Sequence, residues 1–167
     1  MKPTLVLDFD GVIHSYTTPW SGATVVSDPP VEGAIEFLIE ASNYFHIAIM
    51  SSRSGEPGGI EAMQDWLKDH WIDYGFDDKI ELYNGITWPT TKPAAFLTLD
   101  DRAMCFQGHW PDPSTLKEFK PWNKRDPKAR EKYITLLGDN IYNANGALDR
   151  LQVDYIIDKL EEMQALR

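Results

Sequence analysis

The chain has 167 residues and a formal net charge of -10 at pH 7. A chain of this length buries roughly 70% of its unfolded surface, which suits one domain with a single core. The negative charge argues against broad binding to duplex nucleic acid, which needs many Lys and Arg contacts to phosphate. The apolar content of 43% is that of a folded protein and not of a disordered chain.

Cysteine content and the N-terminal sequence indicate the compartment. Cys105 is the only cysteine, so no intramolecular disulfide can form, and a reducing compartment suits the chain. The first apolar stretch ends at Asp8, too soon for a signal-peptide core, and no segment approaches the roughly 20 apolar residues of a membrane span. We therefore expect a cytoplasmic protein with no membrane partner.

The first predicted element is a buried strand from Thr4 to Phe9, which leads into the turn signal Asp10-Gly11. Residues 12–30 are rich in Ser, Thr, Gly and Pro, a composition typical of a loop or small flap. From Val31 onward, apolar residues recur at helical spacing and predict the first helix.

A second strand, helix and two further strands are predicted from the next apolar runs. Phe45 to Met50 is the second strand, followed by a polar turn and a helix from about Pro57 to Trp71. Lys79 to Tyr83 predicts a third strand, and Ala95 to Leu99 predicts a fourth. Residues 106–122 hold three prolines and two tryptophans and predict a long loop with one short helix.

Strands that alternate with helices predict an α/β fold, a Rossmann-like three-layer sandwich with a mostly parallel central sheet. Residues 1–125 would form the core domain and residues 126–167 a helical C-terminal extension packing on the core or on a partner. The extension carries an apolar stripe at helical spacing, formed by Leu148, Leu151, Tyr155, Ile156, Leu160 and Met163. Ligands bind such sheets at the carboxyl ends of their strands.

Acidic residues follow the first and fourth predicted strands. Asp8 and Asp10 come at the end of the first, and Asp100 and Asp101 directly after the fourth. Carboxylates are ligands that Mg²⁺ prefers, and the ion commonly bridges to a substrate phosphate. A carboxylate can also attack phosphorus and form an aspartyl-phosphate.

Phosphoryl transfer to a carboxylate also needs positive or hydrogen-bonding groups around the transferred phosphate. Lys92 lies eight residues before Asp100, near enough for a loop to carry its ammonium to the site. Ser51, at the end of the second strand, can donate a hydroxyl hydrogen bond to a phosphoryl oxygen.

This ordered set resembles the haloacid dehalogenase superfamily of phosphohydrolases. The likeness covers roughly residues 4–122, and the intervals between its motifs leave no room for a large cap domain. The superfamily's four motifs have counterparts in Leu5-Val6-Leu7-Asp8-Phe9-Asp10-Gly11-Val12, Ile47-Ala48-Ile49-Met50-Ser51, Lys92, and Leu97-Thr98-Leu99-Asp100-Asp101.

The resemblance implies a Mg²⁺-dependent phosphomonoester hydrolase with an aspartyl-phosphate intermediate. Asp8 would be the nucleophile and Asp10 the general acid and then base, with Lys92 also in the catalytic set. The implied substrate-binding residues are Gly11, Ser51, Ser52 and Arg53, and the implied metal ligands are Asp8, Asp10 through its backbone carbonyl, Asp100 and Asp101. A phosphorylated small molecule, such as a nucleotide or sugar phosphate, would be the substrate.

Several assignments stay open from the sequence alone. Arg53 could bind substrate or form a structural ion pair. Asp139, in a strand-Gly-Asp pattern, is an alternative to Asp100 as metal ligand. Four tryptophans in predicted loops could stack on a base, Trp20 and Trp88 foremost, or simply pack: Trp20, Trp88, Trp110 and Trp122.

Two other functions share these motifs. A polynucleotide end-processing phosphatase, which would take a phosphorylated oligonucleotide end, is suggested by the likeness of Asp100-Asp101-Arg102 to the triplet of that branch. A non-catalytic protein of the same fold that binds magnesium or phosphate is the other alternative.

Overall fold

The computed structural model of the protein describes residues 2–106, 108, 110–117 and 119–124. The chain divides into two units, Met1–Asn123 and Lys124–Arg167, and the sheet with its helices belongs to the first. The predicted helical extension over residues 126–167, its apolar stripe and the alternative ligand Asp139 lie outside the described residues.

The centre of the first unit is a parallel three-stranded sheet in the order β2-β1-β3. The strands are β1 (Thr4–Leu7), β2 (His46–Ile49) and β3 (Leu97–Leu99). β1 lies in the middle and its apolar side chains are buried, as expected of a strand in a covered parallel sheet. The register pairs Leu7 with Ile49 on one side and with Leu99 on the other, so the three strands end level with one another.

Helices pack their apolar faces against β1 and β2, whereas the residues of β3 are exposed. The helices among the described residues are α1 (Ala34–Ala41), α2 (Gly59–Asp73), α3 (Ile80–Asn84) and α4 (Pro113–Leu116). α1 and α2 contribute buried side chains such as Leu38 and Leu67 to one core with β1 and β2. The α/β class with a parallel sheet is therefore confirmed. No helix in the described part of the chain is long and apolar enough to cross a membrane.

The predicted third strand, Lys79 to Tyr83, is wrong, because these residues form a 3₁₀ turn (Asp77–Lys79) that runs into α3. Ile80 and Tyr83, three residues apart, lie on one face of that helix and pack against the core. The Tyr83 hydroxyl also donates to the Gln64 carbonyl oxygen at 3.0 Å. Thr87 instead forms an isolated parallel bridge beside β2.

The segment between β1 and α1 closes on itself as a flap, defined here as residues 15–30. The Ser15 amide donates to the Pro29 carbonyl at 3.0 Å, and the Val31 amide donates to the Ile13 carbonyl at 2.8 Å. These bonds bring the two ends of the flap together directly after Asp10. The described flap contains no helix or strand, as its composition predicted.

Truncation of a core leucine tests this packing. We expect Leu67→Ala, at a side chain that is 0% exposed, to lower the free energy of unfolding by ~2–5 kcal/mol. Leu82→Ala, at a side chain that is 36% exposed on α3, is the matched control and should cost about 1 kcal/mol or less. Urea unfolding measures both, and equal losses would contradict the assignment of Leu67 to the core.

Candidate functional site

The ends of β1 and β3 bring three carboxylates together. The Asp8 amide donates to the Leu99 carbonyl at 2.9 Å, which places Asp8 beside the start of the Asp100-Asp101 pair. One carboxylate oxygen from each of Asp8, Asp100 and Asp101 lies within 4.8 Å of the others. We call these three residues the acid cluster. Its geometry is that of a group of ligands able to surround one cation.

The Asp101 carboxylate of the acid cluster is buried. Its side chain is 0% exposed, and neither carboxylate oxygen accepts a hydrogen bond from any described residue. Arg102 Nε lies 3.7 Å from Oδ1, too far for a hydrogen bond. Burial, together with the nearby carboxylates of Asp100 and Asp10, raises the pKa of Asp101 despite Arg102. A buried carboxylate without a hydrogen-bond donor is costly, and a cation bound beside it would lower that cost.

Gly11 leaves the space that the Asp101 carboxylate occupies. A Cβ atom at Gly11 would lie 2.6 Å from Asp101 Cγ. Two non-bonded carbon atoms cannot lie this close together, so the Asp101 side chain would have to move. Gly11 also has φ +90, a conformation that side chains rarely adopt. The structure therefore gives Gly11 a steric role beside the acid cluster, and its contact with substrate stays a prediction.

The electrostatics of Asp8 match those of Asp101. Burial raises the pKa of Asp8 to about 7, and the carboxylates of Asp100, Asp101 and Asp10 add to the rise, while a hydrogen bond from the Phe9 amide opposes it. That bond, 2.8 Å to Oδ1, also fixes the orientation of the carboxylate. A divalent cation in the acid cluster would reverse the balance and favour the ionised form.

Asp10 has a different environment, because its carboxylate is paired within the protein. Oδ2 accepts from Arg53 Nε at 2.8 Å, and Oδ1 accepts from Arg53 Nη2 at 3.1 Å. His14 Nδ1 donates to Oδ1 at 2.8 Å, since its Nε2 accepts from the Asp28 amide. Burial raises the pKa of Asp10, but the hydrogen bonds from His14 and Arg53 and the charge of Arg53 outweigh it and lower the pKa overall. The carboxylate of Asp10 is therefore ionised and lies outside the acid cluster.

Arg53 is buried and ties the flap to the sheet. Its Nη1 donates to three flap carbonyls, those of Gly22, Ala23 and Val25, at 3.0, 2.8 and 2.9 Å. Its guanidinium carbon lies 4.5 Å from the centre of the Trp20 ring, within cation–π range. All three guanidinium nitrogens thus have partners inside the protein, and Arg53 forms a structural ion pair with Asp10. A contact between Arg53 and substrate stays a prediction.

The serines follow β2, one strand away from Asp8. Ser51 is buried and caps the 3₁₀ turn Ser52–Gly55: its Oγ accepts from the Arg53 amide, and its own amide donates to Ser54 Oγ. Ser52 is exposed. This capping box fixes the turn that carries Arg53 towards Asp10.

Lys92 is a predicted site residue with no contact to the others among the described residues. It is exposed in the segment that leads to β3, and it forms no hydrogen bond or ion pair with any described residue. Its long side chain is free to move towards a bound anion, and its role stays a prediction.

Trp122, one of the four loop tryptophans considered for stacking, lies beside Gly11, a position that the sequence did not predict. Its indole Nε1 donates to the Gly11 carbonyl at 2.6 Å across 111 positions of sequence. The side-chain amide nitrogen (Nδ2) of the neighbouring Asn123 donates to the backbone carbonyls of Ser15 and Tyr16. The composition of the loop gave no signal for this return to the site, because tryptophan in a loop usually packs.

No protein-family model, curated protein or solved structure matches this chain.

The raised pKa of Asp8 predicts how stability depends on pH in protein freed of metal with a chelator. The folded state holds this proton up to a pH of about 7, whereas unfolded Asp ionises near 3.9. Stability therefore falls as the pH rises from about 4 to 7. We expect Asp8→Asn, which cannot ionise, to be more stable than the wild type above pH 7, by on the order of 2 kcal/mol.

Urea unfolding at pH 5 and pH 8 measures this difference. The stabilisation should be larger at pH 8, and Asp73→Asn, at an exposed position on α2, should show none. Added Mg²⁺ should stabilise the wild type more than Asp8→Asn, since binding to the folded state alone stabilises it. An Asp8→Asn variant that is less stable at both pH values would contradict the electrostatic account.

Proposed function

We propose that the protein is a Mg²⁺-dependent phosphomonoester hydrolase that forms an aspartyl-phosphate on Asp8. The observation that carries the proposal is the acid cluster, in which the buried Asp101 carboxylate has no hydrogen-bond partner among the described residues. Burying such charge is unfavourable unless a cation compensates it. A phosphorylated small molecule is the proposed substrate.

The residues of the acid cluster fit magnesium. Asp8, Asp100 and Asp101 offer carboxylate oxygens, the donor type that this ion prefers, and their spacing lets one ion contact all three. When bound, Mg²⁺ would neutralise the cluster and withdraw charge from the transferring phosphoryl group. The backbone carbonyl of Asp10 is proposed as a further ligand.

Asp8 is suited to attack phosphorus. Oδ1 is held by the Phe9 amide, while Oδ2 accepts no hydrogen bond from the described residues and is the oxygen proposed to react. An Asp8 oxygen forms a bond to phosphorus as the bond from phosphorus to the leaving oxygen breaks. The leaving oxygen takes up a proton and departs as an alcohol or a phenol. Water then attacks the phosphorus, releasing inorganic phosphate and restoring Asp8.

Asp10 is the proposed proton shuttle, acting first as an acid and then as a base. Its lowered pKa suits it to the second role better than to the first. The second step needs a base for the attacking water, and an ionised carboxylate suits it. The first step needs an acid, which the ion pair with Arg53 disfavours. We therefore propose that Asp10 acts chiefly as the base, and that protonation of the leaving group becomes limiting for the most basic leaving groups.

The resemblance to the haloacid dehalogenase superfamily supports the same proposal. The sheet order β2-β1-β3 brings the first and fourth motifs side by side. The interval just after the first motif holds only the flap, and the interval between Ser51 and Lys92 holds α2, α3 and loops, so a capless member is proposed. Ser51, Ser52 and Lys92 are proposed to contact the phosphoryl group, in keeping with that resemblance.

A polynucleotide end-processing phosphatase is the second candidate. Arg102 favours it, because this side chain is 55% exposed next to Asp101 and could contact a neighbouring phosphate of a longer ligand. The net charge of -10 opposes it. Hydrolysis of 3'-phosphorylated oligonucleotides that weakens steeply with salt, in preference to small esters, would favour this candidate.

Hydrolysis of p-nitrophenyl phosphate tests the proposed chemistry. We expect turnover that a chelator abolishes and Mg²⁺ restores, and we expect Asp8→Asn to lower kcat by at least about 10³-fold because the nucleophile is lost. Asp73→Asn is the control for an exposed Asp-to-Asn change and should retain activity. Equal turnover by the wild type and Asp8→Asn would refute the role of Asp8. A folded wild type that binds Mg²⁺ and turns over no ester would favour the non-catalytic alternative.

Lys92→Gln tests whether that ammonium reaches the phosphoryl group. Removing a charge that stabilises the transition state should lower kcat/KM by about 10²–10³-fold. Lys68→Gln, at an exposed position on α2, removes the same charge away from the site and should leave kcat/KM unchanged. If both variants keep full activity, Lys92 is not part of the catalytic set.

A further inference from the structure

An open cleft of about 280 Å³ lies against the acid cluster. Two members of the acid cluster, Asp100 and Asp101, line it together with Gly11, and the apolar lining side chains are Val12, Val31, Leu99 and Trp122. A ligand with a phosphate at the acid cluster would therefore have its remaining atoms next to an apolar wall. The aspartates would contact only the transferred phosphoryl group, so the proposed phosphate chemistry gives no role to the apolar wall.

Trp122 gives the wall a fixed orientation. Its Nε1 atom is held by the Gly11 carbonyl at 2.6 Å, and its side chain is nevertheless 47% exposed. Asn123, the next residue, donates to two carbonyls of the chain that follows Gly11. The ring is therefore held at its polar edge while much of its surface stays available. A ring so restrained loses little entropy when a ligand packs on it.

We propose that this cleft binds the leaving group of the phosphate ester, and that it selects esters whose leaving group carries a planar aromatic ring that stacks on Trp122. The proposal rests on the proposed function and adds the class of substrate to it.

Size and charge support a small aromatic ester. The cleft volume lies just below the range of about 300–1,000 Å³ that is usual for small-molecule sites, which suits one ring and its linking atoms. Stacking on an aromatic side chain tolerates many kinds of planar ring, because every such ring has a π-face. The net charge of -10 disfavours a polyanionic ligand over a single phosphate.

Benzyl phosphate and ethyl phosphate test the proposal, because both leave as simple alcohols and only one carries a ring. The wild type should have the higher kcat/KM for benzyl phosphate. In Trp122→Leu the ratio of the two kcat/KM values should fall by about 5- to 100-fold, the effect of losing one stacking contact. Trp122→Phe keeps a ring without the bond to Gly11 and should retain most of the ratio. Trp110→Leu, at a tryptophan that is 86% exposed and does not line the cleft, should leave the ratio unchanged.

Three outcomes separate the possible explanations. A fall in the ratio for Trp122→Leu alone supports the leaving-group cleft. An equal loss of kcat/KM for both esters would show that Trp122 only supports Gly11 and the acid cluster, and would overturn the proposal. Cyclohexylmethyl phosphate turned over as well as benzyl phosphate would also overturn it, since the cleft would then select bulk and not planarity.

A binding measurement keeps the inference testable if the wild type hydrolyses no ester and the proposed function fails. Benzylphosphonate and methylphosphonate, which cannot be hydrolysed in this way, are titrated calorimetrically into the protein in Mg²⁺ buffer. Tighter binding of benzylphosphonate that Trp122→Leu removes would support the cleft independently of catalysis. Equal binding, or none, would overturn the inference.

Discussion

The contacts of the buried Arg53 guanidinium with Asp10 and the flap are the interaction on which the arrangement beside Asp8 depends. Taking an arginine out of water is costly, and the cost is met here by Asp10 and three flap carbonyls. The backbone at Arg53 is equally confined, because a Cβ at Gly59 would lie 2.9 Å from its carbonyl carbon. Arg53 thereby joins the end of β1, the turn after β2 and the flap. Loss of this side chain would leave Asp10 as an uncompensated buried charge.

Two kinds of carboxylate result at the same edge of the sheet. Asp10 is neutralised within the protein, and its pKa is lowered by His14 and Arg53 against the effect of burial. Among the described residues, Asp8 has only the Phe9 amide as a hydrogen-bond donor, Asp101 has only the more distant Arg102 at 3.7 Å, and burial raises the pKa of each. Asp10 and Asp8, two positions apart in the sequence, therefore differ. The charge of Asp10 is balanced by groups of the folded protein, whereas the charge of Asp8 requires a proton or a cation to balance it. This asymmetry supports a metal at the acid cluster and a base beside it.

The sequence predicted the acid cluster because strand ends are marked in it. Apolar runs that stop at acidic residues locate Asp8 and Asp100, and parallel pairing then brings them to one edge. The third predicted strand failed because a short run such as Ile80–Asn84 has enough apolar character for either strand or helix, and only the packing of Ile80 and Tyr83 decides. Neither the three-carbonyl contact of Arg53 nor the bond from Trp122 to Gly11 could be predicted. Both join distant segments, and local patterns carry no signal for them.

The environment of Asp10 and the apolar cleft favour the same kind of substrate. An acid with a lowered pKa is a poor proton donor, so the chemistry suits leaving groups that depart with little protonation. An oxygen attached directly to an aromatic ring is such a leaving group, because the ring delocalises the charge that develops on it. The Trp122 side of the cleft would offer that ring a surface, and the apolar lining would strengthen the attraction between a bound phosphate and a cation at the acid cluster. The proposed selection by the cleft and the proposed role of Asp10 would therefore act in the same direction, although they depend on different residues.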